Sequence, residues 1–203
     1  MTDAIKIYGI PQSRVARCVW MVRELGVPHE VVPVHYRVAR ETPELLRVNP
    51  NGRIPAMDDN GFALFESTAI NLYLAKKYGS GSALVPRSLE EEALVTQWSF
   101  WVVAELEKPL VMLLVNAIGY RVVDEEALAK ARSDLDRPLR VLDGDLSTRP
   151  WMLGDRFTVA DLNVASVLDW QRTTKLDLSP YPHVADWLSR CLGRPAFKGL
   201  SLG

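Results

Sequence analysis

Residues 49–70 read NPNGRIPAMDDNGFALFESTAI, and the folding of this stretch decides the reading of everything around it. IPAM and FALFE look like the two arms of a β-hairpin. Between them DDNG supplies the turn, and its Asn60-Gly61 pair suits the positive φ angles of a tight hairpin. Pro55 stands where the first arm should begin; having no N–H to give a sheet, proline is confined there to strand starts, edges and bulges. After the second arm STAINLYLAKKYG has a helical pattern that stops at Gly79, so the unit reads β-β-α.

Upstream the same period changes give β-α-β. Ile5 and Ile7 alternate with polar residues in a short strand ending near Gly9, and PQS turns the chain. Ser13 is a fair N-cap for a helix in which Val15, Val19 and Val22 keep helical spacing, with Gly26 and Pro28 as the stop. HEVVPV is a second strand, and residues 38–48 are polar and weakly helical. Downstream, GSGSALVPRS marks a linker, and from Leu89 onward the patterns are helical. The expected architecture is α/β followed by all-α: a domain over 1–79, a linker over 80–88 and a helical domain over 89–203.

Composition narrows the functional classes. Lys plus Arg number 24 against 25 Asp plus Glu, a net charge of −1, which offers no field for nucleic acid or an anionic membrane. No apolar run approaches the ~20 residues of a membrane span, and MTDAIKIYG runs into a strand pattern without a signal sequence, so a soluble, cytoplasmic protein is expected. Cys18 and Cys191 form no CxxC pair, and His29, His35 and His183 show no ligand spacing, so neither a disulfide framework nor a metal site is expected. The terminal GLSLG matches GxSxG, but that elbow needs a strand before it and a helix after it; the match is a coincidence.

Four motifs in order, YGIPQSRVARCVW, GRIPAM, FESTAI and WMLGDRFTVADLNVASVL, resemble the cytosolic glutathione S-transferases, with a thioredoxin-like first domain and a helical second one. The likeness covers essentially the whole chain and is nearest to serine-type, phi-like and bacterial members. It implies a dimeric transferase that joins the glutathione thiolate to small hydrophobic electrophiles. A carrier or interaction module that binds glutathione without turnover, and a glutathione-dependent isomerase or peroxidase, remain open alternatives.

The resemblance also implies roles. The Ile54-Pro55 bond would be cis, presenting the Ile54 backbone to a peptide ligand by β-addition; read without the family, an ordinary trans proline opening a strand is the preferred reading. Glu66 and Ser67 would hold the ammonium and carboxylate of the γ-glutamyl end, Ser67 at a helix start where unpaired N–H groups bind anions. Arg40 and Arg53 are candidates for the glycyl carboxylate, or are solvated surface charges. Ser13, in the position of the family's catalytic serine, would donate to the thiolate; lowering a thiol pKa of ~8.5 by about 2 needs ~2.7 kcal/mol. Arg17 shares the helical face of Ser13 and would support the thiolate or form a structural ion pair. Cys18, about 140° around the helix from Ser13, should point elsewhere. In the helical domain Thr158 and Asp161 should form a capping box, with Phe157 stapling onto Leu162. Trp98 and Trp101 are candidates for an electrophile pocket between the domains, or for core.

Overall fold

The computed structural model describes residues 4–200, so Ser201 of the GLSLG ending lies outside the described residues. Two compact units are present, one running to Val85 and joined by a return segment from Pro195, the other from Pro86 to Arg194.

The first unit holds a four-stranded sheet in the order β2-β1-β3-β4. β1 (Ile5–Tyr8) and β2 (His29–Val32) are parallel, with Ile5 opposite His29 and Tyr8 opposite Val32. Parallel neighbours need a crossover, and α1 (Ala16–Glu24) provides it. β3 (Ala56–Asp59) is antiparallel to β1, and β4 (Phe62–Phe65) to β3. The hairpin turn has the expected backbone, with φ of 54° at Asn60 and 90° at Gly61. Successive side chains of β1 serve opposite faces: Ile5 and Ile7 are buried on one pleat, and Tyr8 on the other joins a cluster with Val34, Ala39, Leu45, Val48 and Ala56. Leu45 and Val48 belong to α2 (Pro43–Val48), which a 3-10 turn at Ala39–Glu41 precedes, so the weakly helical stretch resolves into two short pieces. α3 (Ser67–Tyr78) packs along α1.

Below the sheet's far end Asp59 is fully enclosed. It accepts hydrogen bonds from Tyr73 Oη at 2.7 Å, Tyr78 Oη at 2.8 Å and Lys77 Nζ at 2.6 Å, tying β3 to the C-terminal half of α3.

The second unit is helical: α4 (Leu89–Trp101), α5 (Lys108–Ala117), α6 (Glu125–Leu146), α7 (Val159–Leu168), α8 (Gln171–Thr174) and α9 (Pro182–Leu192). A π-helical turn over Val102–Glu107 joins α4 to α5. All ten residues of α7 are buried, so water cannot serve its first N–H groups and the chain must. The expected capping box serves one of them: the Thr158 side chain accepts from Asp161 N–H, while Asp161 Oδ2 accepts from Thr158 N–H at 2.8 Å and from Thr158 Oγ1 at 2.9 Å. The other carboxylate oxygen accepts from Met152 N–H and from Trp187 Nε1, both at 2.9 Å, so Asp161 also anchors the 151–154 turn and α9. Burial pushes its carboxyl above the ordinary value, and the four donors oppose that.

The return segment departs from the sequence reading, which assigned it to the helical domain. Phe197 lies 4.7 Å, centroid to centroid, from the Trp20 ring of α1, and Arg23 Nη1 donates to the Lys198 carbonyl at 3.2 Å. An apolar ring recurring after a proline carries no signal of which unit will bury it; the α1 surface decides.

Candidate functional site

The loop from β1 into α1 is built on Gly9, whose φ is 136°. A Cβ there would lie 2.4 Å from Val15 Cγ2 and 3.0 Å from Ile54 Cβ, so only glycine lets the Ser13 loop close onto Ile54. The Ile54-Pro55 bond is cis. Pro11–Val15 forms a wide turn in which Ser13 is extended, with φ of −151° and ψ of −174°. Its oxygen accepts from Val15 N–H at 3.2 Å, the N-cap arrangement expected, and its hydroxyl donates to the Ile10 carbonyl at 2.6 Å. The single Ser13 proton is therefore engaged, and serving another acceptor means releasing Ile10.

Asn49 shapes the segment before Pro55. Only 2% exposed, it donates from Nδ2 to the Arg53 carbonyl at 2.7 Å and accepts at Oδ1 from Asn51 N–H at 3.1 Å. Gly52, with φ of 59°, has the Arg40 backbone against it: a Cβ at Gly52 would be 2.9 Å from Arg40 Cα. Arg40 and Arg53 thus come to one loop from separate parts of the chain, both exposed. The polar run NPNG already held this loop's internal partners; which of them would turn inward was not readable from it.

Glu66 has φ of 71° and ψ of 113°, a backbone that residues with side chains avoid and that clusters at ligand-holding positions. The sequence had no signal for it. Ser67 follows at the first position of α3 rather than at its cap, 5% exposed. From α1 the buried Arg17 reaches across to it, with Nη1 3.5 Å from Ser67 Oγ. Cys18 is fully buried, its thiol 3.9 Å from the Ser67 carbonyl, and burial pushes it up to about 12 against the pull of Arg17. It is a protonated, inert thiol that packs between α1 and α3.

In the helical unit Trp98 and Trp101 meet edge to face at 5.0 Å. Trp98 is 4% exposed and Trp101 half-buried, so Trp101 presents the more surface. Among the described residues no group of three or more His, Cys, Asp or Glu gathers as metal ligands, and no helix is long and apolar enough to cross a membrane.

The first unit thus carries a helix start suited to a carboxylate, a residue of positive φ beside it, two exposed cations on one loop, and a hydroxyl at the start of α1. Residues 3–76 match the family described as glutathione S-transferase, N-terminal domain, and residues 104–195 that described as glutathione S-transferase, C-terminal domain. Glutathione S-transferase 3 of Zea mays is 34% identical, over 96% of this chain and 91% of its own length. Elongation factor 1-gamma of Sus scrofa is 31% identical over 88% of this chain, which spans 40% of that relative's length. Among solved structures, the theta class glutathione S-transferase of Xanthomonas axonopodis pv. citri with glutathione bound superposes with a TM-score of 0.90 at 28% identity, covering 100% of this chain and 99% of that one.

Proposed function

This chain belongs to the glutathione S-transferase family, and from that premise we propose that it joins glutathione, held by its first unit, to small hydrophobic electrophiles, with Ser13 stabilising the thiolate. The observation that supports the reading is the close approach of Gly9, at the start of the loop that carries Ser13, to Ile54, the residue that would pair with a peptide backbone. Ile54, beside Pro55, pairs with the cysteinyl backbone of glutathione. Ser67 and the N–H groups of α3 take the γ-glutamyl carboxylate, and Glu66 takes the ammonium. Arg40 and Arg53 serve the glycyl carboxylate. The electrophile is assigned to Trp101, with Trp98 as its packing support.

Thiolate stabilisation supplies only part of the rate. A lower thiol pKa raises the ionised fraction but lowers intrinsic nucleophilicity with a Brønsted slope of about 0.4–0.5, so holding the electrophile beside sulfur supplies most of the acceleration. The protein acts as a homodimer in the cytoplasm, in a detoxifying role. Support for the dimer comes from α4 and the turn after it, where Leu89, Ala93, Thr96, Phe100 and Val103 recur in steps of four and three along one exposed face.

The similarity to elongation factor 1-gamma favours a second reading, an interaction module that binds glutathione without useful turnover. Ultraviolet difference absorbance on adding glutathione separates the two. An enzyme gives a thiolate band that titrates below the free thiol, and a panel of aryl halides, epoxides, enones, isothiocyanates and organic hydroperoxides then identifies its substrates. A band that titrates with the free thiol refutes the transferase reading.

A further inference from the structure

Arg17 is a buried cation on the helix that follows Ser13, and its side chain reaches Ser67 Oγ at the start of the next long helix, α3. A guanidinium only donates, so at this contact the Ser67 oxygen accepts and its own hydroxyl proton is turned to some other acceptor. At 3.5 Å the contact is long, so the guanidinium acts chiefly as a charge and as a director of that proton. Arginine stays protonated, and at 2% exposure its field is weakly screened by solvent. The same field falls on the first turn of α3, whose N–H groups already favour an anion.

We propose that Arg17 is a positioning residue for the glutamyl carboxylate of glutathione: from beneath Ser67 it orients the hydroxyl toward the carboxylate and supplies the positive charge behind it. The proposal rests on the reading of Ser67 given above. It moves Arg17 from the thiol end of the ligand, where helical spacing from Ser13 suggested it, to the opposite end.

The test is a cycle of two ligands and two proteins, read by calorimetry on the full chain. The ligands are glutathione and the analogue whose glutamyl α-carboxylate is a carboxamide, equal in shape and neutral at that point. The parent should prefer glutathione. Arg17→Met should weaken glutathione by about 10- to 100-fold and the carboxamide by less than about 3-fold, and Arg17→Lys should recover part of the loss. Equal losses for both ligands would mean that Arg17 merely holds α1 against α3, and would overturn the proposal. Unchanged glutathione affinity with a raised thiol pKa would overturn it in favour of the thiol end. A parent that binds both ligands equally would remove the Ser67 assignment itself, a failure of the underlying reading that the first comparison alone reveals. Should Arg17→Met not fold, Arg17→Lys carries the same comparison: displacing the charge should cost glutathione several-fold more than the carboxamide, and equal costs overturn the proposal.

Discussion

Ser13→Ala measures what the hydroxyl contributes, and the structure limits that contribution more than the helix position alone would. The Ser13 proton is already given to the Ile10 carbonyl at 2.6 Å, so stabilising a thiolate exchanges one acceptor for another. A hydrogen bond to a charged group is worth ~1.5–3 kcal/mol and one to a neutral carbonyl ~0.5–1.5, which leaves a net gain of about 1–1.5 kcal/mol. At 1.36 kcal/mol per pKa unit that is about one unit, with the α1 dipole adding ~0.3–1 kcal/mol that the variant retains. From a reference of ~8.5 the bound thiol should titrate near 7 in the parent and near 8 in the variant, roughly. At pH 6.5 the ionised fraction then falls about 8-fold, and the roughly 3-fold gain in nucleophilicity of the more basic thiolate leaves conjugation about 3-fold slower. The two rate curves should cross near about pH 7.5, and above it the variant should be the faster, by up to roughly 3-fold. Losing the acceptor for Val15 N–H should also cost ~0.5–2 kcal/mol of stability, visible as a lower Tm. The assay is thiolate absorbance against pH at saturating glutathione, alongside a pH–rate profile with one aryl halide. A rate loss of constant size at every pH, with the thiol pKa unmoved, would refute the argument: the hydroxyl would then have stayed on Ile10 and the loss would come from the shape of the loop.

Three further outcomes are expected. Asp161→Ala leaves the Met152, Thr158 and Trp187 donors unpaired inside the helical unit, and at ~1–3 kcal/mol each this should cost about 4 kcal/mol or more, lowering Tm by roughly 10 °C in thermal scans while glutathione affinity in the surviving protein stays near normal; an unchanged Tm with lost activity would place Asp161 in the site instead. Burial raises the Asp59 carboxyl, but the Lys77, Tyr73 and Tyr78 donors outweigh it and hold the group at about 2, below its model-compound value of 3.8. The folded pKa lies below the unfolded one, so the roughly 2 kcal/mol it contributes is present above about pH 4 and is lost between about pH 4 and 2; Asp59→Asn should flatten acid denaturation over that window, and an unaltered profile would sink the assignment. Phe100, 73% exposed, lies in the stripe proposed to pair two copies, so Phe100→Glu should convert the dimer to monomer in sedimentation velocity without lowering the monomer's Tm; a variant that stays dimeric removes that face from the interface.

The local grammar of this chain was legible because it is set by neighbours in sequence. Period two in IKIY, the Asn60-Gly61 turn, the helix stop at Gly79 and the Thr158–Asp161 box each need only a few consecutive residues to be specified, and each is present. Ser13 and Ser67 were recognisable as residues at helix starts for the same reason. Their surroundings were not, because those come from separate parts of the chain. That Gly9 must lack a Cβ follows from Ile54 lying beside it; that Arg17 serves Ser67 follows from α1 packing on α3; that Asp161 bonds Trp187 follows from α9 closing over α7. Even the competing partner of Ser13, only three residues away, depends on the irregular turn at Pro11–Val15, where Gln12 and Ser13 leave helical φ and ψ. Sequence periodicity therefore determined which elements form and which residues begin them, because those choices are made by backbone sterics and by the alternation of apolar side chains. Only the tertiary structure decided which proton, charge and carbonyl face one another, because short-range hydrogen bonds and buried charges depend on distances of a few ångströms between residues that the chain itself holds far apart.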